Sequence, residues 1–485
     1  LKVYKVVLFD CVAKGLEIQI AMIFDQQSIL ECLSLYEMFI SSHYYLKYYE
    51  ASILFVNELC IKSASVAIRN ADITCFLPLL THGQFLQNIP SMLGSIPFQR
   101  ILSERKNKFD NAIVVSAGPS LAKQLSLLKA YQDKAVIFCA DGALSMLEKE
   151  GIIPDYVTNL DCRDLAMKFF QNKENLKQSI IALECATHPN VVRSLKAENC
   201  MIILRNKALY QRFNLNDFGY IDTGTHVSHF SYTLALALGF KNIIMIGQDL
   251  AFDEEGNSHS KGFSYGEKYE GGANIDKFKI PAYAGKGEVL THIAWNDYRI
   301  KLEYLFACNE QKAKFYNATE GGARINFTEE LSFKECCEKL LTKEKPKFEL
   351  PKSLTKNRSD KLLVKFKEKI QKDQENAKRF LDDALALKQI LENILSKDFI
   401  LPLEFLEKVY QNIENFNHSL DTDEFIQDEV LRGAFAYRGK LISDVLKLHI
   451  KDETHFITAY IKAYHEWLLY FIEKLEQKYK SLSKV

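Results

Sequence analysis

Between Ala112 and Leu121 the chain reads A-I-V-V-S-A-G-P-S-L. Four apolar or small residues suit a short buried strand, Ser116-Ala117-Gly118-Pro119 suits a tight turn, and Ser120 is placed to cap the helix that follows. Such a turn holds anions: Gly118 lets a ligand approach the backbone, Pro119 gives up no needed N–H, and the amides of a helix start attract phosphate. An ordinary strand-to-helix turn without a ligand has the same appearance, so the rest of the chain decides. Asp141-Gly142 follows a second apolar run, and Asn159 and Asp161 follow a third. Carboxylates accept hydrogen bonds from ribose hydroxyls and Asn offers both a donor and an acceptor, although either residue also caps helices. Asp222-Thr223-Gly224-Thr225-His226 is a second turn with amides and hydroxyls for phosphate oxygens, and Gln248-Asp249 ends a further apolar run.

Residues 251–287 form a long glycine-rich insertion carrying Tyr265, Tyr269 and Tyr283, as expected of a loop that closes over a site. Beyond it, His292 stands at the mouth of a helix, where an imidazole with a pKa near working pH suits a general base. His226, His229 and His259 are rivals for that role. No D-x-D pair follows a strand, so a metal-held diphosphate donor is not suggested, although Asp161 and Asp164 are carboxylates able to bind Mg²⁺.

These residues need a frame, and strand-like and helical runs alternate from Asn111 onward. Strands are expected at Ala112–Ser116, Ala135–Cys139, Tyr156–Asn159, Ser179–Leu183, Met201–Leu204, Asn242–Gly247 and Lys314–Tyr316. Helices are expected at Leu121–Tyr131, Leu144–Lys149 and Val227–Leu238. This is the pattern of an α/β fold with a doubly wound, mostly parallel sheet, whose ligands sit beyond the carboxyl ends of the strands. After Gly322 the turn residues nearly vanish while Leu, Ile, Phe, Lys and Glu keep helical spacing, so Leu362–Ile394, Leu403–Phe416 and Leu446–Lys480 read as helices. The expected organisation is a mixed α/β region over 1–105, a nucleotide-binding domain over 106–330 and an all-helical domain over 331–485. Within the first region Val3–Phe9 reads as a strand and Ala51–Ile68 as a helix, with Pro90 and Pro97 punctuating its end.

The 485 residues carry no net charge, which indicates neither a nucleic-acid stripe nor a basic membrane surface. Eleven cysteines, an odd number without a C-x-x-C pair, suit reduced thiols of the cytoplasm better than a disulfide framework or a zinc site. No apolar run reaches a bilayer's thickness, and the start at Leu1 suggests a trimmed or incomplete terminus.

The series S-A-G-P-S-L (116–121), F-C-A-D-G-A (138–143), P-D-Y-V-T-N-L-D (154–161), T-G-T-H-V-S (223–228) and A-L-G-F-K-N-I-I-M-I-G-Q-D-L-A-F (237–252) resembles the motility accessory factor (Maf) family. Those bacterial enzymes attach nonulosonic acids, pseudaminic or legionaminic acid, to serines and threonines of flagellin. The same elements are similar to bacterial sialyltransferases that use CMP-sialic acid, with Ala117 and Asp141 where those enzymes have Asn. The resemblance implies a CMP-nonulosonic acid donor, flagellin as acceptor, a cytoplasmic enzyme of motility and flagellar assembly, and no required cofactor or metal. It implies donor contacts at Ser116, Gly118, Pro119, Ser120, Asp141, Gly142, Asn159, Asp161, Thr223, Gly224, Thr225, Gln248 and Asp249. His292 becomes the base, and Tyr265 and Tyr283 steady the leaving phosphate. A pterin pyrophosphokinase family resembles the same segment and would use Mg²⁺, with Asp161, Asp164 and Asp249 as candidate ligands; a flagellin-binding chaperone that kept the fold is the third alternative.

Overall fold

The computed structural model describes residues 47, 48, 50, 74–171, 174–270, 276–397 and 401–484. The strand expected at Val3–Phe9, the helix expected at Ala51–Ile68 and most of the 1–105 region lie outside the described residues. Two compact units contain the rest: one over Thr81–Ile370, the other over Gln371–Ser483 with the residues before Thr81. Among the described residues, no helix is long and apolar enough to cross a membrane.

The first unit is built on nine parallel strands: β1 Asn111–Val115, β2 Val136–Ala140, β3 Tyr156–Asn159, β4 Ile180–Glu184, β5 Cys200–Arg205, β6 Tyr220–Ile221, β7 Asn242–Ile246, β10 Lys314–Asn317 and β11 Glu329–Glu330. Their order is β11-β10-β7-β1-β2-β3-β4-β5-β6. The chain steps outward from β1 to β6, then returns to β7 on the other side of β1. The order of a doubly wound sheet reverses there, and the gap beyond the two strand ends is where such sheets take ligands. Val115 pairs with Ile246, so both chains leave the sheet at one level.

The sequence displays these strands because helices cover both sheet faces, leaving continuous apolar runs instead of alternation. Ala112, Val114, Val136, Phe138, Ile243 and Met245 pack on one face with Phe230 and Leu234 of helix Val227–Ala237 and Phe306 of helix Ile293–Ala307. The parallel sheet is the expected fold. The two-residue strands β6 and β11 escaped the reading because so short a segment shows no pattern. The insertion also differs from expectation: its last part, β8 Lys277–Pro281, pairs as an antiparallel hairpin with β9 Glu288–His292, which follows directly after it. Its pattern was hidden because β8 alternates burial only weakly and is largely exposed.

Pro90 does not punctuate; it lies inside helix Phe76–Gly94. A proline there removes one backbone hydrogen bond, which the burial of Phe85, Leu86, Ile89, Met92 and Leu93 outweighs. Asn88 of this helix is buried, and its Nδ2 donates to the carbonyls of Cys185 (3.0 Å) and Thr187 (2.7 Å), just past β4. Helix Lys356–Leu395 supplies Phe366, whose ring meets Phe85 and Phe213.

The second unit is helical: the C-terminal part of Lys356–Leu395 from Gln371 on, then Leu403–Asp421, Arg432–Lys447 and Glu453–Leu482. The single helix expected over Leu446–Lys480 is two, because His449 takes a positive φ and Asp452 caps a fresh start by accepting from the His455 amide. Trp467 is fully buried, stacks on Phe471 and donates Nε1–H to the Ala434 carbonyl at 2.8 Å.

Asn88→Leu keeps the shape and strands two buried carbonyls, so urea unfolding should show a loss of about 2–5 kcal/mol. Unchanged stability would mean that the pair of hydrogen bonds does not hold this helix to the end of β4.

Candidate functional site

At the reversal point the two turns are tied to each other. Gly118 N–H donates to the Gly247 carbonyl at 2.8 Å. Ser116 Oγ donates to Gln248 Oε1 at 2.9 Å, and Tyr232 OH donates to the same oxygen at 3.3 Å. The buried Asp249 carboxylate accepts from Ser120 Oγ at 2.8 Å and from the Ser120 amide at 3.3 Å. Ser120 was expected to cap the helix; instead Gly118 occupies the cap position without a side-chain bond, Pro119 opens a short 3-10 turn, and Ser120 serves Asp249. The glycines accommodate this carboxylate: a Cβ on Gly118 would strike its oxygen, and one on Gly322 would strike the Asp249 backbone. Burial pushes the Asp249 carboxyl up to about 6 against the downward pull of the Ser120 donors. An internal anion therefore occupies the amide expected to meet a phosphate.

The second group lies at the ends of β2 and β3. Asp141 is buried; Gly142 N–H donates to its Oδ1 at 2.7 Å, and Asn159 Nδ2 donates to Oδ2. Asn159 in turn accepts from Thr187 Oγ1 at 3.1 Å. Burial raises the Asp141 carboxyl to about 7, with a further push from Asp161. Asp161 is forked by Arg163, whose Nε and Nη2 donate at 3.1 and 3.2 Å.

The glycine-rich insertion comes down over this group. Ser260 N–H donates to the Ala117 carbonyl at 2.9 Å, and the Ser260 hydroxyl accepts from the Ala122 amide at 3.1 Å. Phe263 lies against Gly142, where a Cβ would be 3.1 Å from its ring, and stacks on His259 at 3.9 Å. Burial lowers His259 to about 4. Tyr265 packs on Tyr269 at 4.9 Å and donates its hydroxyl to the Leu165 carbonyl at 2.6 Å. Tyr283 keeps other company: its hydroxyl donates to the Leu331 carbonyl at 3.0 Å, and burial with the Glu320 and Glu330 charges pushes it up to about 12. Those carboxylates would repel the charge of a leaving phosphate.

His292 ends β9 and caps helix Ile293–Ala307. Its Nδ1 accepts from the Trp295 amide at 3.3 Å and its ring stacks on the Trp295 indole at 4.0 Å. Burial lowers its pKa, so the ring is neutral at pH 7, and the cap leaves its proton on Nε2. His226 has the same arrangement at the start of helix Val227–Ala237, with Nδ1 accepting from the His229 amide at 3.3 Å. Thr223 and His229 are buried beside it, Gly224 lies against the His229 ring, and Thr225 Oγ1 accepts from Lys301 Nζ at 3.3 Å.

Three residues absent from the expected set join these groups. Trp295, Tyr298 and Lys301 recur every third position along one face of a helix, a spacing visible in the sequence. Tyr298 packs on His226 at 4.7 Å and feels the charges of Arg163 and Asp161; Trp295 lies 6.5 Å from His259. A line of neighbours thus runs from His226 through Tyr298 and Arg163 to Tyr269, His259, Trp295 and His292.

Residues 83–255 match the family model described as 6-hydroxymethylpterin diphosphokinase MptE-like. No curated protein matches the chain. Among solved structures it is similar to the Maf glycosyltransferase of Magnetospirillum magneticum AMB-1, with 16% sequence identity and a TM-score of 0.58 over 96% of this chain and 69% of that one. The parallel sheet, the reversal between β1 and β7 and the helical unit thus belong to a chain that shares its fold with a Maf glycosyltransferase.

Proposed function

We propose that the protein is a cytoplasmic glycosyltransferase that moves a nonulosonic acid, of the pseudaminic or legionaminic type, from CMP to serine or threonine hydroxyls of flagellin, as flagellar assembly and motility would require. The observation that carries the reading is the row of polar residues along the strand ends beside the β1/β7 reversal, Asp141 after β2 and Asn159 at the end of β3, with the aromatic insertion packed on Gly142 and the Thr223–Thr225 turn leading into a helix that meets β3 through Ser231 and Thr158. The fold shared with a Maf glycosyltransferase and the motif series between 116 and 252 support it.

In this reading Asp141, held in place by the buried Asn159, meets the ribose of CMP. Asp141 already accepts two hydrogen bonds and a carboxylate has room for more. The bond from the anomeric carbon to the phosphate oxygen breaks, its electron pair leaving with CMP, while the acceptor oxygen bonds to that carbon. The acceptor proton passes to His292, which releases the long bond to the Trp295 amide to take it at Nδ1. Tyr265 or Tyr269 and the neutral imidazole donors offset the charge growing on the phosphate. The regions on either side of 106–330 would recognise flagellin. The family-model name favours a second reading, diphosphate transfer to a pterin with Mg²⁺. Its carboxylates are otherwise engaged: Asp249 holds Ser120, Asp161 holds Arg163 and Asp164 lies 3.4 Å from His188. Among the described residues, no three Asp, Glu, His or Cys side chains converge in a way that would hold a metal.

Intact-mass analysis of flagellin co-expressed with the protein and a CMP-nonulosonate pathway should show a ladder of one sugar per step. His292→Asn preserves an acceptor for the helix cap and should abolish the ladder in a protein of native stability. A ladder that survives moves the base to another residue. No ladder from the native protein, with donor confirmed, removes the transferase reading in favour of the pterin enzyme or a chaperone.

The pH dependence of CMP affinity tests the ribose contact. Asp141 is ionised only above about 7, so affinity should fall as the medium is acidified through 7, by up to about tenfold per unit. Asp141→Asn should flatten that dependence; an unchanged profile would place the ribose elsewhere.

A further inference from the structure

Three side chains around the Thr223-Gly224-Thr225 turn are more than nine-tenths buried and carry a polar atom with no hydrogen-bond partner in the protein: Thr223 Oγ1, His226 Nε2 and His229 Nδ1. Buried polar groups are nearly always satisfied, so three orphans in seven residues need a reason. They surround the start of an eleven-residue helix, where free amides favour a negative guest. The His229 ring lies over Gly224, and the His226 ring is 5.5 Å from it. The cap on His226 Nδ1 leaves Nε2 as a fixed N–H donor. Lys301, half-buried and bonded to Thr225, bears on both rings electrostatically.

We propose that Thr223, His226, His229 and Lys301 form a subsite for a single carboxylate, and that its guest is the acid group of the transferred sugar. The identity of that guest rests on the transferase reading; the subsite itself does not. Three features favour a carboxylate over a phosphate. The donors are few, two of them are neutral rings, and the one ammonium, Lys301, already feels the carboxylates of Asp297 and of Asp222, which accepts from the Gly224 amide at 3.0 Å, so the site suits at most a single further negative charge. Burial holds His229 at about 4 and His226 well below its ordinary value, so both rings stay neutral near pH 7 and add dipoles rather than charge. Tyr298, between His226 and the Asp161–Arg163 pair, would place the acid group beside the nucleotide rim.

Two measurements on the full chain separate the subsite from its guest. Titration with formate, followed by the imidazole nitrogen signals of His226 and His229, should shift both in the native protein and neither in Lys301→Met or Thr223→Val. Thr223→Val removes an orphan hydroxyl and should leave thermal stability unchanged or raised, whereas a structural threonine would lose stability. In the second measurement, both variants should bind the CMP-activated sugar acid at least tenfold more weakly than native while binding CMP within twofold. The amide of the same sugar, CMP-activated, should bind the native protein as weakly as the variants bind the acid. Formate shifts in a protein that binds neither CMP nor the activated sugar would sustain the subsite and remove the transferase reading. Absence of formate shifts with unchanged donor affinity in both variants would overturn the subsite, and an equal loss of CMP affinity would overturn the carboxylate assignment in favour of the nucleotide phosphate.

Discussion

The buried carboxylate of Asp249 is the contact on which the site depends. It bonds the hydroxyl and amide of Ser120 and so fastens the turn after β7 to the turn after β1. An ionised carboxylate is costly to bury, and the raised pKa records that cost. Donors that remove part of the cost make the contact directional: Ser120 must present both groups, and Gly118 and Gly322 must leave space for the oxygens and for the backbone that carries them. Every other part of the rim is placed relative to this joint. The insertion grips it through Ser260, on the Ala117 carbonyl and the Ala122 amide.

Helix Ile293–Ala307 does the remaining positioning. Its cap residue, His292, belongs also to the hairpin, so the end of β9 and the start of the helix share one imidazole. One side of the helix buries Leu302 and Phe306 against the sheet. The face carrying Trp295, Tyr298 and Lys301 meets the insertion, the β3 end and the Thr223–Thr225 turn. A helix pinned on its apolar side gives those three groups a fixed spacing, a precondition for preorganised donors.

Much of the fold was legible in the sequence, and the reasons are physical. Strands buried on both faces read as apolar runs, which is why β1 to β5, β7 and β10 were found within a residue or so. Hairpin strands with exposed faces left no such run, and β6 and β11 are too short to carry a pattern. Pro90 misled because a local rule about proline was overruled by burial. In the site, the strand ends gave up their residue types, but types do not fix partners. Ser120 looked like a cap and became a donor to a residue 129 positions away. Tyr265 and Tyr283 looked equivalent until one settled beside Tyr269 and the other among glutamates.

The two histidine caps carry the same lesson into chemistry. A histidine at a helix start invites the role of base, because its ring is titratable near neutral pH. A cap bond to Nδ1 assigns the proton of the neutral ring to Nε2, so the residue becomes a donor for as long as the bond holds. For His226, enclosed and held neutral, nothing in its surroundings would draw the proton away. The His226 Nδ1 is held a second time by the Ser228 hydroxyl at 2.8 Å, whereas at His292 the cap bond is the one to the Trp295 amide and a partly exposed strand leads into it, so releasing the cap costs less there. In the proposed transferase two similar caps therefore take two roles, a fixed donor at one helix start and a releasable acceptor at the other, and the difference lies in the second bond that Ser228 makes to the His226 ring.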